Sequence, residues 1–582
     1  MLKNLFNLSK SSQSSSSQNL SSPCDTAFYY HKETKHHFTR YAKSLGYLDW
    51  ANQPNPFRRF DGSRIIELPF NEQDNSCSYS QLYLSASKSL PVNNQTLGQF
   101  LEFSLALSAW KEFNGERWAL RINPSSGNLH PTEGYLIFDQ KALSLDNLAN
   151  QAIVCHYAPK IHSLEVRAEM PIDIWKKLMS GFPAESFLVA LSSVHWREVW
   201  KYGERAFRYC QHDIGHALAA LRFSASLLGW QLIVLSDISD DEIETILGLN
   251  RSQDFLYAEK EHPDLIAVVI PNPKLVDYPL NLPLTAINDI NTSSRWYGQA
   301  NRLSQEQQQW QIIDLVSQAC RKPTTELSQI LKTKEPTKFE KLFNLQTTKL
   351  SAQQIIFQRR SAVAFDGKTE ISAQDFYATL AHTMPSNNAP WDALTWPTNI
   401  HLCLFVHRVT ELLPGFYILI RDQEKIAVLQ KEMRSAFIKS DFLWQKPPLC
   451  PDDLPLYFLV EGNCQHLAQQ VSCDQDIAAD GAFSLAMVAE FENPICQLGA
   501  WYYRRLFWET GIIGQILYLA AEAIGVRATG IGCFFDDSVH EIFGFQNNKY
   551  QSLYHFTIGG AVEDKRLSLL PPYDKTRVTP KI

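Results

Sequence analysis

The feature of this sequence that most limits its possible folds is an internal repeat. A stretch of about forty residues in the first half recurs in the second half, without a gap, at a constant offset of 296 positions. Two unrelated amphipathic helices would share scattered apolar positions, but not glycines, an arginine and an aspartate pair in one register. The chain therefore holds two related domains. The matched positions are Arg208 and Arg504, Gly215 and Gly511, Leu221 and Leu517, Ala225 and Ala521, Gly229 and Gly525, Asp240-Asp241 and Asp536-Asp537, Ile246 and Ile542, and Gly248 and Gly544, with Asp213 facing Glu509.

Each copy of the repeat predicts the same order of elements. A long apolar helix, at 205–228 and again at 501–524, ends at a glycine. A strand follows at 231–235 and 527–535, then a short amphipathic helix that ends at Gly248 or Gly544, then a strand at 265–270 and 554–558. This alternation predicts an α+β fold. Because each long helix must bury its apolar face, we expect the two to pack against each other.

Composition excludes several classes of protein. A chain of 582 residues exceeds what one hydrophobic core usually supports. The net charge of −7 argues against nucleic-acid binding, which needs a basic face. No apolar stretch is long enough to suggest a membrane span. The eleven cysteines are scattered singly, which indicates neither a disulfide framework nor a metal site but a reducing, cytoplasmic compartment.

Domain boundaries follow from the repeat and from local composition. Residues 1–25 are Ser-rich and predict a disordered tail, and a transit peptide stays an alternative because no acidic residue precedes Asp25. The first domain is assigned to 26–272 and the second to 355–582. The polar residues 273–354 predict a partly helical connection, with a helix at 310–320.

Four short motifs carry residue types that suit a phosphate or a flat ligand. Adjacent arginines with a serine can hold phosphate oxygens, and paired glycines let backbone approach a ligand closely. A Pro-Ser-Ser-Gly-Asn turn offers small polar groups, and a basic pair follows the last strand. Taken singly, each motif has an ordinary alternative as a solvated pair or a tight turn. The candidate residues are Arg359, Arg360, Ser361, Gly530, Ile531, Gly532, Lys565, Arg566, Pro124, Ser125, Ser126 and Asn128.

In this order the motifs resemble the nitroreductase superfamily of flavin mononucleotide (FMN) enzymes, and within it the SagB-type dehydrogenases. The first half resembles that group at Tyr30-His31, at 34–37, at 48–54 and at 56–60. The resemblance covers nearly the whole chain outside the tail and the connection. It implies tandem nitroreductase-like domains that form an intramolecular pseudo-dimer around FMN. Since flavin would carry the chemistry, no catalytic triad and no metal are expected.

The resemblance also implies which half supplies which contact. Arg359 to Ser361, the glycines and the terminal basic pair belong to the second half, and the Pro-Ser-Ser-Gly-Asn turn belongs to the first. The complementary positions differ, so one FMN per chain is expected. Those positions are Val234 and Ser236 for the glycines, Ser85-Ala86-Ser87-Lys88-Ser89 for the Arg-Arg-Ser motif, and Pro385-Ser386-Asn387-Asn388 for the turn, and Val363 replaces a third basic residue.

The function that the resemblance implies is an FMN-dependent oxidoreductase that transfers hydride to or from a small-molecule or peptide substrate. NAD(P)H is a candidate electron donor. Two alternatives stay open: an azoline dehydrogenase of peptide modification, and a non-catalytic flavin-binding or scaffold protein.

Overall fold

The computed structural model describes residues 21–71, 77–84, 88–143, 150–274, 277–326, 348–433 and 441–574. Most of the Ser-rich tail (1–20), Ser85, Ala86 and Ser87, and residues 327–347 of the connection lie outside this description. The first helix begins at Pro23, inside the segment assigned to the tail, because the Ser22 side chain accepts a hydrogen bond from the Asp25 amide and proline suits a first helical turn.

Two antiparallel sheets form the centres of the two halves. The first contains, in spatial order, Arg295–Trp296, Ser163–Pro171, Gln151–Ala158, Thr132–Asp139, Phe187–Ser193, His262–Pro271 and Trp230–Val234, with Ile65–Glu67 also beside Ser163–Pro171. The second contains Leu456–Glu461, Gly415–Leu419, Ile400–Val406, Phe483–Glu490, Tyr550–Gly559 and Arg527–Ile531. Smaller sheets join Ser568–Leu570 to Leu107–Phe113 and Glu116–Arg121, and Phe60–Asp61 to Gln299–Ala300. Since Ser568–Leu570 pairs with a first-half strand, the C-terminal segment crosses to the other half.

The helices cover both sheets and confirm the predicted repeat. The two long helices, Ala206–Leu227 and Tyr502–Ala523, and the two short ones, Asp240–Leu247 and Asp536–Phe543, keep the offset of 296. None of the helices in the described ranges is long and apolar enough to cross a membrane. The other α-helices of the described ranges are Pro23–Glu33, Asn94–Glu102, Ile172–Leu178, His195–Tyr202, Leu284–Ser293, Gln311–Ala319, Ala352–Gln358, Ala373–His382, Ile426–Glu432, Gln465–Val471, Ile477–Asp480 and Glu492–Leu498.

The long helices cross at a pair of glycines, which confirms that they pack against each other. A Cβ atom built on Gly215 would lie 2.8 Å from the Gly511 Cα, and the reverse distance is also 2.8 Å. Nearly every residue of both helices is buried, so the crossing joins the cores of the two halves. The fold is thus the expected intramolecular pseudo-dimer.

The repeat extends beyond the stretch that the sequence reveals. The helix Gln311–Ala319, in the segment predicted to be a connection, packs against Pro23–Glu33. The residues after Pro23–Glu33 contact the short helix Asp536–Phe543, and the residues after Gln311–Ala319 contact the short helix Asp240–Leu247 in the same way. Two equivalent ion pairs show this exchange, Lys35 with Asp537 and Arg321 with Asp241.

Candidate functional site

A cavity of about 650 Å³ lies between the two halves and is lined by both. This volume falls within the range of roughly 300–1,000 Å³ that small-molecule and cofactor sites occupy. Lys565 and Arg566 are exposed and lie outside its lining, and Arg566 pairs with Asp564. The sequence-predicted residues that the cavity brings together are Pro124, Ser125, Ser126, Asn128, Arg359, Arg360, Ser361, Gly530, Ile531 and Gly532.

Two adjacent arginines dominate the electrostatics of the cavity. Arg359 follows the helix Ala352–Gln358, is 4% exposed, and donates to the Arg121 carbonyl at 2.9 Å. Arg360 donates to the carbonyls of Arg359 and Ser108 at 2.6 and 3.0 Å. Burial lowers the pKa of Arg360 to about 10, and the neighbouring Arg359 charge adds to this effect.

Neither guanidinium forms an ion pair with a carboxylate of the described residues. Within the described residues, no ion pair involves Arg359 or Arg360, and the Nε atom of each is buried without a hydrogen-bond acceptor. The nearby Glu522 carboxylate accepts the Arg360 backbone N–H and pairs with Arg527 instead. Because buried charges are normally paired, two unpaired guanidiniums beside a cavity suit an anionic ligand.

Tyr518 of the second long helix joins the arginine and glycine motifs. Its hydroxyl accepts the Gly530 N–H at 3.0 Å and lies 2.8 Å from the Ser361 hydroxyl. Its ring lies under the Arg359 guanidinium, 5.0 Å from centroid to Cζ. One tyrosine therefore fixes the relative geometry of two motifs that lie far apart in the sequence.

Gly530, in the strand Arg527–Ile531, and Gly532, just after it, are required by tyrosines that pack against this segment. A Cβ atom on Gly530 would lie 1.9 Å from the Tyr554 hydroxyl, and one on Gly532 would lie 2.3 Å from the Tyr209 ring. The Tyr209 hydroxyl also donates to the Gly532 carbonyl at 3.0 Å. The sequence suggested that the absence of a side chain at these glycines lets a ligand approach. The structure shows that it also lets the Tyr554 and Tyr209 rings pack against the backbone.

The first-half turn is held by Asp213 of the first long helix. The Ser126 N–H and hydroxyl donate to the Asp213 carboxylate at 3.0 and 2.9 Å. Gly127 has a φ of +57°, and a Cβ atom there would lie 2.5 Å from the Tyr202 hydroxyl. Burial raises the pKa of Asp213 to about 7, although hydrogen bonds from Ser125 and Ser126 oppose this.

The raised pKa of Asp213 predicts a pH-dependent stability. An aspartate in the unfolded chain ionises near pH 4. The buried carboxyl therefore opposes folding increasingly as the pH rises from about 4 to about 7, by at most about 1.4 kcal/mol per pH unit. We expect Asp213→Asn to gain stability relative to the wild type between pH 5 and pH 8. Denaturant unfolding of both proteins at each pH measures the difference.

The surface carboxylate Asp452 provides the control for this experiment. The difference between Asp452→Asn and the wild type should be the same at pH 5 and pH 8. If the stability difference between Asp213→Asn and the wild type also stayed constant with pH, it would contradict a buried Asp213 carboxyl with a raised pKa.

The cavity contains titratable side chains that the sequence analysis did not identify. Lys201 and Tyr202, at the end of the helix His195–Tyr202, line it together with the tyrosines already described. Burial, and then the charge of Glu198, raise the pKa of Tyr202 well above its ordinary value, so its hydroxyl keeps its proton. The repeat held a signal for the two cavity tyrosines, because they differ from the equivalent residues of the other half. Tyr209 is equivalent to Arg505, and Tyr518 is equivalent to Arg222.

Arg222 and Arg505, with their contacts, occupy the pseudo-symmetric position, which is the place related to the cavity by the internal repeat. Arg222 forms a bidentate pair with Asp392, at 2.8 and 2.7 Å. Arg505 lies over the Trp396 ring, 3.9 Å from its centroid. The turn Trp391–Ala393 packs directly against the strand Trp230–Val234, which includes Val234. The aromatic and ionic contacts therefore occupy the space that the cavity takes on the other side.

The sequence placed the second-half turn at Pro385, Ser386, Asn387 and Asn388. In the structure, the short helix Trp391–Ala393 follows this stretch and precedes the central strand Ile400–Val406, and its Asp392 pairs with Arg222 of the first half. The equivalence of 385–388 to the 124–128 turn stays a prediction.

Comparison with known proteins agrees with this architecture. The model of the Nitroreductase family matches residues 88–258 and 356–560, which together exceed half of the chain. The chain therefore belongs to the nitroreductase family, as a tandem pair of its domains. Comparison with functionally curated proteins gave no match.

Among solved structures, one shows a related fold over nearly the whole chain. A protein from Anabaena variabilis described as a nitroreductase has 20% identity and a TM-score of 0.63, over 92% of this chain and 99% of that one. A second protein described as a nitroreductase, from Ralstonia eutropha, has 14% identity and a TM-score of 0.23, over 40% of this chain and 87% of that one. The E. coli microcin synthetase McbBCD complex has 16% identity and a TM-score of 0.26, over 44% and 94%. The first comparison shows that the two-domain fold occurs as a whole in another protein.

Proposed function

We propose that this chain is an FMN-dependent oxidoreductase that binds one FMN in the cavity between its halves. The observation that carries the proposal is a pair of guanidiniums, those of the buried Arg359 and the half-buried Arg360, that line a shared cavity and form no ion pair with a carboxylate of the described residues. Membership of the nitroreductase family supports the flavin as the anionic ligand. Bound FMN would supply hydride transfer.

The residues of the cavity fit the chemical parts of FMN. A phosphate suits the two guanidiniums and the Ser361 hydroxyl, because a guanidinium fork matches phosphate oxygens. The strand that contains Gly530 and the tyrosine walls suit a flat aromatic ring. The 124–128 turn offers hydroxyl and amide groups from the opposite half. Lys565 and Arg566 stay candidates for contacts to the phosphate, since both follow the strand Tyr550–Gly559, which pairs with the strand that contains Gly530.

The chain's own residues would orient the ligand and supply protons. Tyr518 fixes the arginine and glycine motifs relative to each other, so the phosphate and ring ends keep a constant separation. Asp213 fixes the turn that closes the site. The Tyr202 hydroxyl keeps its proton and lies beside Gly127, where it can donate to a ligand or substrate atom. A small-molecule or peptide substrate would enter this cavity, and NAD(P)H would be one source of hydride.

We predict one FMN per chain. The Arg222–Asp392 pair fills the pseudo-symmetric position, and both side chains would have to leave it before a second flavin could enter. The measurement is the visible spectrum of the purified full-length protein, followed by quantification of the flavin released on denaturation. A ratio close to two would show that the filled position opens.

A comparison of two flavins tests the phosphate assignment. Flavin-free protein is titrated with FMN and with riboflavin, which has the same ring system without the phosphate. We expect FMN to bind about tenfold to hundredfold more tightly, because it alone pairs the two guanidiniums. Equal affinities would remove the arginines from the phosphate site, and binding of neither flavin would contradict the proposed function.

A further inference from the structure

Two cysteines, Cys473 and Cys533, meet at the edge of the cavity. Cys533 directly follows Gly532 and lines the cavity, and both cysteines are partly exposed. The segments that carry them are joined at both ends: the Phe535 N–H donates to the Val471 carbonyl at 2.8 Å, and the Gln475 side chain donates to the Cys533 carbonyl at 3.0 Å. These contacts set the segment of Cys473 beside that of Cys533, close enough for each thiol to alter the pKa of the other.

The surroundings of the two thiols differ, and the difference favours Cys533 as the nucleophile. The hydrogen bond from Cys473, followed by those from its other neighbours, lowers the pKa of Cys533 to about 5, although burial opposes this. The same hydrogen bond, together with burial, raises the pKa of Cys473. The opposite directions of the two pKa shifts make Cys533 the thiol that ionises first, while Cys473 keeps its proton.

His36 supports the thiolate from the first half of the chain. The Ala42 N–H donates to His36 Nδ1 at 2.9 Å, which leaves the ring proton on Nε2. Burial lowers the pKa of His36, and the His36 ring lies near enough to Cys533 to lower the pKa of that thiol. Charged and titratable groups that interact with the pair are His36, Arg205, Asp536, Tyr41, Tyr202 and Tyr209.

We propose that Cys533 and Cys473 form a redox-active dithiol that exchanges with low-molecular-weight disulfides at the edge of the cavity. Cys533 attacks one sulfur of the disulfide, the disulfide bond breaks, and one thiol leaves. Cys473 then gives up its proton and attacks the Cys533 sulfur of the mixed disulfide, which releases the second thiol. One external disulfide is reduced by two electrons to two thiols, and the protein dithiol is oxidised to a disulfide.

The pair differs from the other cysteines of the chain and from a metal site. Among the described residues, no group of three or more His, Cys, Asp or Glu side chains is arranged to hold a metal ion. Cys496 is exposed, and buried cysteines such as Cys155 have a pKa raised by burial. The exchange does not involve flavin, so its success or failure is separate from that of the proposed function.

The experiment treats reduced full-length protein with oxidised glutathione. All variants also carry Cys496→Ser, which removes the exposed cysteine as a source of background. We expect two glutathione molecules to be released per chain, with a Cys473–Cys533 disulfide identified by mass spectrometry. The Cys473→Ser variant should release one and keep a glutathione adduct on Cys533. The Cys533→Ser variant should do neither, and an equal reaction of this variant would overturn the proposal.

A second measurement keeps the test valid if a serine variant unfolds. The protein with native cysteines is exposed briefly to iodoacetamide at pH 6, and the labelled positions are quantified. We expect Cys533 to be labelled about tenfold faster than Cys496, because only a thiol with a low pKa is ionised at this pH. Labelling of Cys533 no faster than Cys496 would contradict a reactive thiolate.

Discussion

Replacing Arg360 with alanine is expected to lower the affinity for FMN by about tenfold to hundredfold. A charge-assisted hydrogen bond to phosphate contributes roughly 1.5–3 kcal/mol, and the alanine removes it together with half of the unpaired positive charge. The remaining Arg359 is more deeply buried and already donates to the Arg121 carbonyl. Titration of flavin-free protein with FMN, followed by flavin fluorescence, measures the change.

Two further substitutions make this result specific. Arg117 is a mostly exposed arginine on the strand Glu116–Arg121, so Arg117→Ala changes the net charge equally without altering the cavity. Arg360→Lys keeps the charge but removes the planar fork, and its affinity should fall between those of the wild type and the alanine variant. Unchanged affinity of Arg360→Ala, with an unchanged melting temperature, would exclude Arg360 from the site.

The terminal basic pair needs its own variant. Arg566 is exposed and pairs with Asp564 outside the cavity, whereas the sequence predicted that it contacts the phosphate. A loss of affinity in Arg566→Ala comparable to that of Arg360→Ala would indicate that the C-terminal segment closes over bound flavin. An unchanged affinity would confine the phosphate contacts to the Arg359–Ser361 motif.

Much of the fold could be predicted because the repeat carries local signals in a fixed register. A glycine at the end of a helix and an Asp-Asp pair at the start of one are local signals that depend only on backbone geometry near the helix ends. The long and short helices of both halves were therefore predicted closely. The exchange of N-terminal segments could not be predicted in this way. Its two ion pairs, Lys35 with Asp537 and Arg321 with Asp241, join residues 502 and 80 positions apart and leave no periodic pattern.

The candidate site was only partly predictable for a related reason. Arg359 and Gly530 belong to short motifs with recognisable residue types. Tyr518 and Asp213 lie within long helices, where a tyrosine or an aspartate has many ordinary roles, and only the packing of one half against the other brings them to the cavity. The filled second position likewise depends on Arg222 meeting Asp392 across the two halves.

The crossing of the long helices predicts the largest effect on stability. A Cβ atom on Gly511 would lie 2.2 Å from the His212 carbonyl oxygen and 2.8 Å from the Gly215 Cα. These are backbone atoms of the other long helix, so the methyl group of Gly511→Ala can be accommodated only if the helices move apart. Overpacking in a well-packed core costs about 1–3 kcal/mol and occasionally more, and a clash with backbone should lie at the upper end.

Gly514, one turn further along the same helix, provides a matched control. A Cβ atom there would first meet the His216 ring, at 2.5 Å, which is a side chain that can shift. Both substitutions gain about 1 kcal/mol of helix propensity, so their difference isolates the crossing. Denaturant unfolding should therefore show Gly511→Ala to be less stable than Gly514→Ala by a few kcal/mol. Equal stability of the two variants would show that the halves tolerate a wider separation, and the shared cavity would then lose its fixed width.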